Sequence, residues 1–108
     1  MFLIRASSHD TRTLNVVRRI LGGRKLDFLF IDGDHTYEGV KKDFEMYSAL
    51  VRRGGLIAFH DIVPGPLECV GGVPRFWSEI KQKYSRDKII EIVRDWRQGG
   101  YGIGVLVV

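Results

Sequence analysis

The 108-residue sequence contains a single cysteine, Cys69, so no disulfide bond can form within the chain. One thiol fits a reducing compartment, and we expect a cytoplasmic location. Long apolar runs are also missing: the longest, residues 28–31 and 103–108, fall far short of the roughly 20 residues of a membrane helix. No basic stretch followed by a long apolar core stands near Met1, so we expect neither a secretory signal nor a membrane partner.

A strong excess of charge is absent as well. The net charge is +4, and the apolar (44%) and charged (28%) fractions are typical of a folded domain rather than a disordered chain. The basic residues come largely in pairs near predicted helix ends, where each cation is stabilised by about 0.3–1 kcal/mol. Nucleic acid is therefore not an expected partner, although a nucleic-acid-binding module stays open as a third function class.

Short apolar runs alternate with helical periodicities along the chain. Strands are predicted at residues 2–5, 26–31 and 56–59, and the second is apolar enough to be covered on both faces. Helices are predicted from Asp10 or Thr11 to residue 21, from about Thr36 to residue 53, and over a segment that contains Pro74 and residues 76–84.

The C-terminal part has a different pattern. Residues 88–94 and 103–108 flank a glycine-rich connection, which predicts an antiparallel hairpin. The preceding strand–helix alternation predicts a mostly parallel sheet with right-handed crossovers. The fold class is therefore α/β, in one domain over residues 1–108.

Polar side chains follow each of the three predicted parallel strands: Ser7 and Ser8 after the first, Asp32 to His35 after the second, and His60 with Asp61 after the third. Parallel strands align their carboxyl ends, so these groups are expected at one edge of the sheet. Carboxylates suit Mg²⁺, and imidazoles suit softer divalent metals. The pattern indicates a divalent-metal site.

Ordinary structural roles are open for the same residues. Asp34 can cap the second helix, His35 can be a first-turn residue without chemistry, and His60 with Asp61 can close a turn. Asp32 directly ends a predicted buried strand, and burying a carboxylate without partners is costly.

Three segments carry a resemblance to a known family. Residues 26–40 (LDFLFIDGDHTYEGV) resemble the central strand and next helix of class I S-adenosylmethionine-dependent methyltransferases. Within that class they are most similar to the DGDH group, methyltransferase family 24, related to cephalosporin hydroxylase-like proteins and small O-methyltransferases. Residues 54–61 (GGLIAFHD) resemble the following strand, and residues 5–10 (RASSHD) the adenine-contacting loop of catechol O-methyltransferase-like enzymes. The resemblance implies a Rossmann-like methyltransferase fold.

The resemblance also implies roles for particular residues. Asp32 matches the first metal carboxylate, while His60 and Asp61 match a ligand pair that is commonly Asp–Asn or Glu–Asp in the family. The histidine at position 60 departs from that pair. His35 lies where some sugar O-methyltransferases place a general base, a role that suits a side chain with a pKa near neutrality.

Ser7 and Ser8 match the adenine-edge positions, and together with Asp32 they make up the implied cofactor-binding set. The implied cofactor is S-adenosylmethionine. The implied reaction is methyl transfer to a hydroxyl of a small molecule, assisted by Mg²⁺ or another divalent cation.

Two features of the family are not found in the sequence: the glycine-rich cofactor loop after its first strand, and the acidic residue that binds the ribose after its second. We therefore expect the C-terminal portion of a truncated methyltransferase domain that is inactive alone. We also expect a homo-oligomer through the sheet edge that the absent strands leave exposed. The alternative is a non-catalytic dimerisation or binding module derived from a methyltransferase.

Overall fold

The computed structural model describes residues 1–108. Helices and strands follow one another in this order: α1 (Thr11–Leu21), β1 (Leu26–Ile31), α2 (Tyr37–Tyr47), β2 (Val51–His60), α3 (Leu67–Val70), α4 (Val73–Lys83), β3 (Ile89–Ile92) and β4 (Ile103–Val107). Short 3₁₀ turns precede β2 (Ser48–Leu50) and β3 (Arg86–Lys88). No helix has the length and apolar character that a membrane span requires.

The four strands form one mixed sheet in the order β1-β2-β4-β3. β1 and β2 run parallel, while β4 is antiparallel to both β2 and β3. The α/β class and the closing antiparallel hairpin are confirmed. The sheet is mixed rather than mostly parallel as predicted: its only parallel pairing joins β1 to β2, because the strand predicted at residues 2–5 does not form.

Residues 2–5 have no regular secondary structure, so the prediction of a strand there is wrong. Their side chains are exposed, that of Phe2 to 76%. A strand is stabilised by the ladder to its neighbour, and β1 pairs with β2 alone. The apolar run of this segment therefore has no partner strand to order it.

The boundary between α2 and β2 also differs from the prediction. α2 ends at Tyr47, and the residues expected in its last turn, Arg52 and Arg53, belong to β2. Residues 52–55 bulge out opposite Asp27, whose carboxylate accepts a hydrogen bond from Arg52 Nε at 2.7 Å. Gly54 permits the bulge because its φ is +82°. The prediction extended α2 to residue 53 because the apolar periodicity continues into the irregular start of β2.

An aromatic core lies between the sheet and helices α2 and α4. Phe59 of β2 packs against Phe44, Phe76 and Trp77, with ring centroids 5.6 to 6.0 Å apart. Gly104 lies opposite Phe59 in β4, and a Cβ there would approach the Trp77 indole to 2.6 Å. The absence of a side chain at residue 104 makes room for the indole.

The opposite face of the sheet carries apolar side chains without helical cover. Phe30, Ala58, Val105 and Ile90 are neighbours across the four strands. The outer two are 43% and 47% exposed, and Phe28 is 51% exposed. The prediction that β1 is covered on both faces is therefore wrong. Ala58 and Val105 between them are buried, so the exposed apolar surface of this face lies on the two edge strands, β1 and β3.

Candidate functional site

The carboxyl ends of β1 and β2 bring four polar side chains together. Ile31 is paired with Phe59, so the residues that follow each strand meet at the same edge of the sheet. One ligand atom from each of Asp32, His35, His60 and Asp61 lies within 4.8 Å of all the others. We refer to these four residues as the strand-end cluster.

Asp61 is the centre of this cluster. Its Oδ2 lies 2.8 Å from His35 Nε2 and 3.0 Å from His60 Nδ1. Asp32 lies further out, with its Oδ1 3.4 Å from His60 Nδ1 and 3.9 Å from His35 Nε2. The predicted metal ligands are therefore brought together, and the predicted base His35 lies directly beside them.

The backbone of Asp61 has an unusual conformation. Its φ is +68°, which is uncommon for a residue with a side chain. Its N–H donates to the Gly102 carbonyl at 3.0 Å, and its Oδ1 accepts from the Tyr101 N–H at 3.2 Å. The loop before β4 thus aims the Asp61 side chain into the cluster.

His60 gives the clearest sign that this cluster can hold a ligand. Its Nδ1 is buried and makes no hydrogen bond, although carboxylate oxygens of Asp61 and Asp32 lie 3.0 and 3.4 Å away. Nearly all buried polar atoms in proteins have a partner. An imidazole nitrogen and two carboxylates converging on one point form a donor set that fits a divalent cation.

Two consecutive glycines support the loop that holds His35. The Gly72 N–H donates to the His35 carbonyl at 2.7 Å. Gly71 has a φ of +53°, and a Cβ there would overlap the same carbonyl oxygen. The glycine-rich segment, which the sequence marked only as a loop, is therefore one wall of the site.

Replacing Gly71 with alanine is expected to destabilise the fold by about 2 kcal/mol, because left-handed strain adds to a collision with His35. Gly23→Ala is the matched control, since Gly23 also has a positive φ but has nothing within 4 Å of the added Cβ. Urea unfolding of both variants separates the two effects. Equal losses would show that the close contact contributes nothing.

Asp34 has a structural role. Its Oδ1 accepts the Thr36 N–H at 2.9 Å, and Thr36 in turn caps α2 by accepting the Gly39 N–H at 3.0 Å. The hydrogen bond from the Thr36 backbone is the main cause that lowers the pKa of Asp34. Asp34 stays outside the strand-end cluster, as the capping interpretation expects.

A cavity of about 360 Å³ lies beside the cluster, a size within the range of small-molecule sites. It is lined by eight residues: Ser8, Leu29, Phe30, Ile31, Asp32, Gly33, Asp43 and Tyr47. Two of the three predicted cofactor residues, Ser8 and Asp32, therefore share a cavity. Ser7 is not among the lining residues, and its Oγ accepts the His9 N–H at 3.2 Å.

Asp43 is a residue of this cavity that sequence reasoning missed. Its carboxylate is buried, and Oδ1 accepts from Ser8 Oγ at 2.6 Å and lies 3.1 Å from His9 Nε2. The Tyr47 hydroxyl donates to the Ser8 carbonyl at 2.8 Å, and burial raises the pKa of Tyr47, which keeps its proton. The sequence did contain a signal for Asp43, namely an acidic residue among the apolar positions of α2.

The sheet, its helices on one face and its polar edge define a Rossmann-like methyltransferase fold. The Methyltransferase domain family matches residues 2–62, more than half of the chain. The chain belongs to this family. Its match includes the loop with Ser8, strands β1 and β2, and all four residues of the strand-end cluster.

Two individual relatives show how much of a longer protein this chain resembles. An uncharacterized protein of Acanthamoeba polyphaga mimivirus is 40% identical over 58 residues, which are 54% of this chain and 25% of that protein. The crystal structure of an O-methyltransferase from Bacillus cereus in complex with SAH superposes with a TM-score of 0.52 at 22% identity. That match covers 89% of this chain and 47% of the other. The chain thus spans about half or less of these relatives, and the structural likeness shows the fold.

Proposed function

We propose that this chain provides the cation-binding and acceptor-binding part of an S-adenosylmethionine-dependent methyltransferase that acts on a hydroxyl of a small molecule. The observation that carries the proposal is the strand-end cluster next to the cavity that Ser8 and Asp32 line. Family membership and the likeness to an O-methyltransferase in complex with SAH support the reaction class.

Asp32, His60 and Asp61 are the proposed cation ligands. The orphan Nδ1 of His60 supports this assignment, because a bound cation would be its partner. Carboxylate oxygens suit both Mg²⁺ and Mn²⁺, whereas an imidazole nitrogen suits transition metals such as Zn²⁺. Because the proposed set combines both kinds of ligand, we expect the transition-metal ion Mn²⁺ to bind more tightly than Mg²⁺.

His35 is the proposed general base. In the tautomer whose Nε2–H donates to Asp61, Nδ1 is free to accept a proton. The same hydrogen bond lets Asp61 orient the ring. A divalent cation in the cluster would lower the pKa of the acceptor hydroxyl. His35 would then take the hydroxyl proton as the oxygen attacks the methyl carbon of the cofactor, whose bond to sulfur breaks and leaves S-adenosylhomocysteine. Asp32, at the border of cluster and cavity, places the two reactants side by side.

His35→Gln is expected to lower cation affinity by roughly tenfold, the lower end of the range for a residue that only orients a ligand. His60→Gln removes a proposed ligand and is expected to lower the affinity by more than roughly 100-fold, beyond that range. Calorimetric titration of Mn²⁺ into both variants measures the difference. Similar losses in the two would make His35 a ligand rather than a base.

The cavity that Ser8 and Asp32 line borders the free edge of β1, since Leu29, Phe30 and Ile31 form part of its lining. We propose that this edge pairs with a second copy of the chain and that the isolated chain is inactive without such completion. The exposed Phe28 and Phe30 support an interface there. Sedimentation at tens of micromolar should show a dimer, and a clean monomer would contradict the pairing.

The experiment that tests the proposed function is calorimetric titration of S-adenosylhomocysteine into the chain, with and without Mn²⁺. Micromolar binding that Asp32→Ala weakens is the expected result for the dimeric protein. The alternative, a non-catalytic binding module, is favoured by the exposed apolar side chains of the edge strands. In that case Asp32→Ala changes stability alone, and neither Mn²⁺ nor S-adenosylhomocysteine binds.

A further inference from the structure

The turn before β4 is built almost entirely in the left-handed backbone region. Residues 99 to 102 have φ values of +77°, +127°, +62° and +80°. Three of these four residues are glycines, which adopt such angles freely. Tyr101 is the exception, and a residue with a side chain is strained in this conformation.

Packing does not explain why a tyrosine occupies this position. The Tyr101 side chain is 68% exposed, so it adds little to the core. Its useful backbone contacts are the N–H donated to Asp61 and the carbonyl that accepts from the Val63 N–H. Glycine would make both contacts without strain, so the fold has no need of the phenol ring.

The ring instead lies at the rim of the strand-end cluster. It meets the His60 ring edge-on, with centroids 6.5 Å apart and planes at 73°. Phe30 stacks against the same imidazole from another direction, at 6.4 Å and 29°. Tyr101 and Phe30 therefore flank His60, and both rings keep exposed surface beside the cluster.

We propose that Tyr101 contacts the methyl acceptor and selects acceptors whose hydroxyl is carried on a ring. This inference rests on the proposed function, because it takes the strand-end cluster as the place where the hydroxyl binds. The exposed phenol offers a flat face against which an aromatic or a sugar ring can pack. Both kinds of acceptor share this chemistry.

The test is saturation-transfer NMR with two probes, phenol and methyl glucoside, on the chain with saturating Mg²⁺. At least one probe should receive saturation at its ring protons. Its Kd should rise at least fivefold in Tyr101→Gly and change less than twofold in Tyr101→Phe. Trp96→Ala is the control, because Trp96 is an exposed aromatic of the same loop that contacts Lys81 instead of the cluster.

Thermal unfolding of Tyr101→Gly provides a second and independent readout. Its midpoint should equal or exceed that of the original chain, because glycine relieves the backbone strain. A fall of several degrees would give Tyr101 a structural role and overturn the proposal. Unchanged probe affinity in Tyr101→Gly, or no binding of either probe, would overturn it as well.

The outcomes for Tyr101 and for the cation site can be told apart. Mg²⁺ and Mn²⁺ binding is measured separately by calorimetry and should be the same in Tyr101→Gly as in the original chain, since the residue 101 N–H still reaches Asp61. If no cation binds, the proposed cation site fails. The probe titrations without cation then still decide whether the Tyr101 ring contacts a ligand.

Discussion

Replacing Asp61 with asparagine is expected to weaken Mn²⁺ binding by at least roughly 100-fold while leaving the fold intact. Asparagine has the same shape, tolerates the positive φ of this position, and can still accept the Tyr101 N–H. What it removes is the charge of the carboxylate that lies closest to both His35 and His60. The substitution therefore tests the electrostatics of the cluster without a change of shape.

Asp43→Asn is the matched control, because Asp43 is also a buried carboxylate but lies outside the cluster. Its cation affinity should stay within about threefold of the original, as expected for a site without shared contacts. Calorimetry gives the affinities, and circular dichroism checks the fold. If the Asp61→Asn and Asp43→Asn variants bind Mn²⁺ with equal affinity, Asp61 is not a ligand of the site.

Trp77→Ala is expected to cost about 4 kcal/mol of the free energy of unfolding, the usual range for a fully buried aromatic. Only 1% of Trp77 is exposed, and its ring packs against Phe59 at the centre of the core. Its Nε1 also donates to Glu91 at 2.9 Å, a hydrogen bond that ties α4 to β3. Small domains have stabilities of about 5–15 kcal/mol, so much of this protein's margin would be lost.

The chain contains a second tryptophan that serves as the control. Trp96 is 46% exposed, and Trp96→Ala should change stability by less than about 0.5 kcal/mol. Urea unfolding followed by circular dichroism measures both variants. If the two substitutions cost the same, the core between the sheet and α4 is not organised as described.

Local signals in the sequence predicted several elements correctly. Helix α1 begins after Asp10, whose side chain accepts the Arg12 N–H, and it ends at Gly22 with a φ of +58°. Strand β1 has the bounds that its apolar run indicated. Caps, glycine stops and unbroken apolar runs act over a few neighbouring residues, so the sequence alone reveals them.

Features that depend on distant partners were predicted less well. Residues 2–5 have the composition of a strand but no strand beside them, and the start of β2 depends on a bulge opposite Asp27. Whether the second face of β1 is covered depends on which side of the sheet the helices pack. The local sequence of each segment does not determine any of these features.

The candidate site shows the same division. The carboxyl ends of parallel strands predicted that Asp32 and Asp61 would meet, and the structure places them in one cluster. Asp43 and Gly71 were missed because their importance arises from contacts with Ser8 and His35, far away in the sequence. The unusual position of Tyr101 could be recognised only from the backbone angles of the turn before β4.

The proposed cation site is tested most directly by anomalous X-ray diffraction from crystals of the chain grown with Mn²⁺. We expect one strong anomalous peak between Asp32, His60 and Asp61, within coordination distance (about 2.0–2.3 Å) of His60 Nδ1 and at least one carboxylate oxygen. The peak should vanish in Asp61→Asn. Ordered protein without a peak at this position, or with Mn²⁺ bound only elsewhere, would contradict the assignment of the strand-end cluster as a cation site.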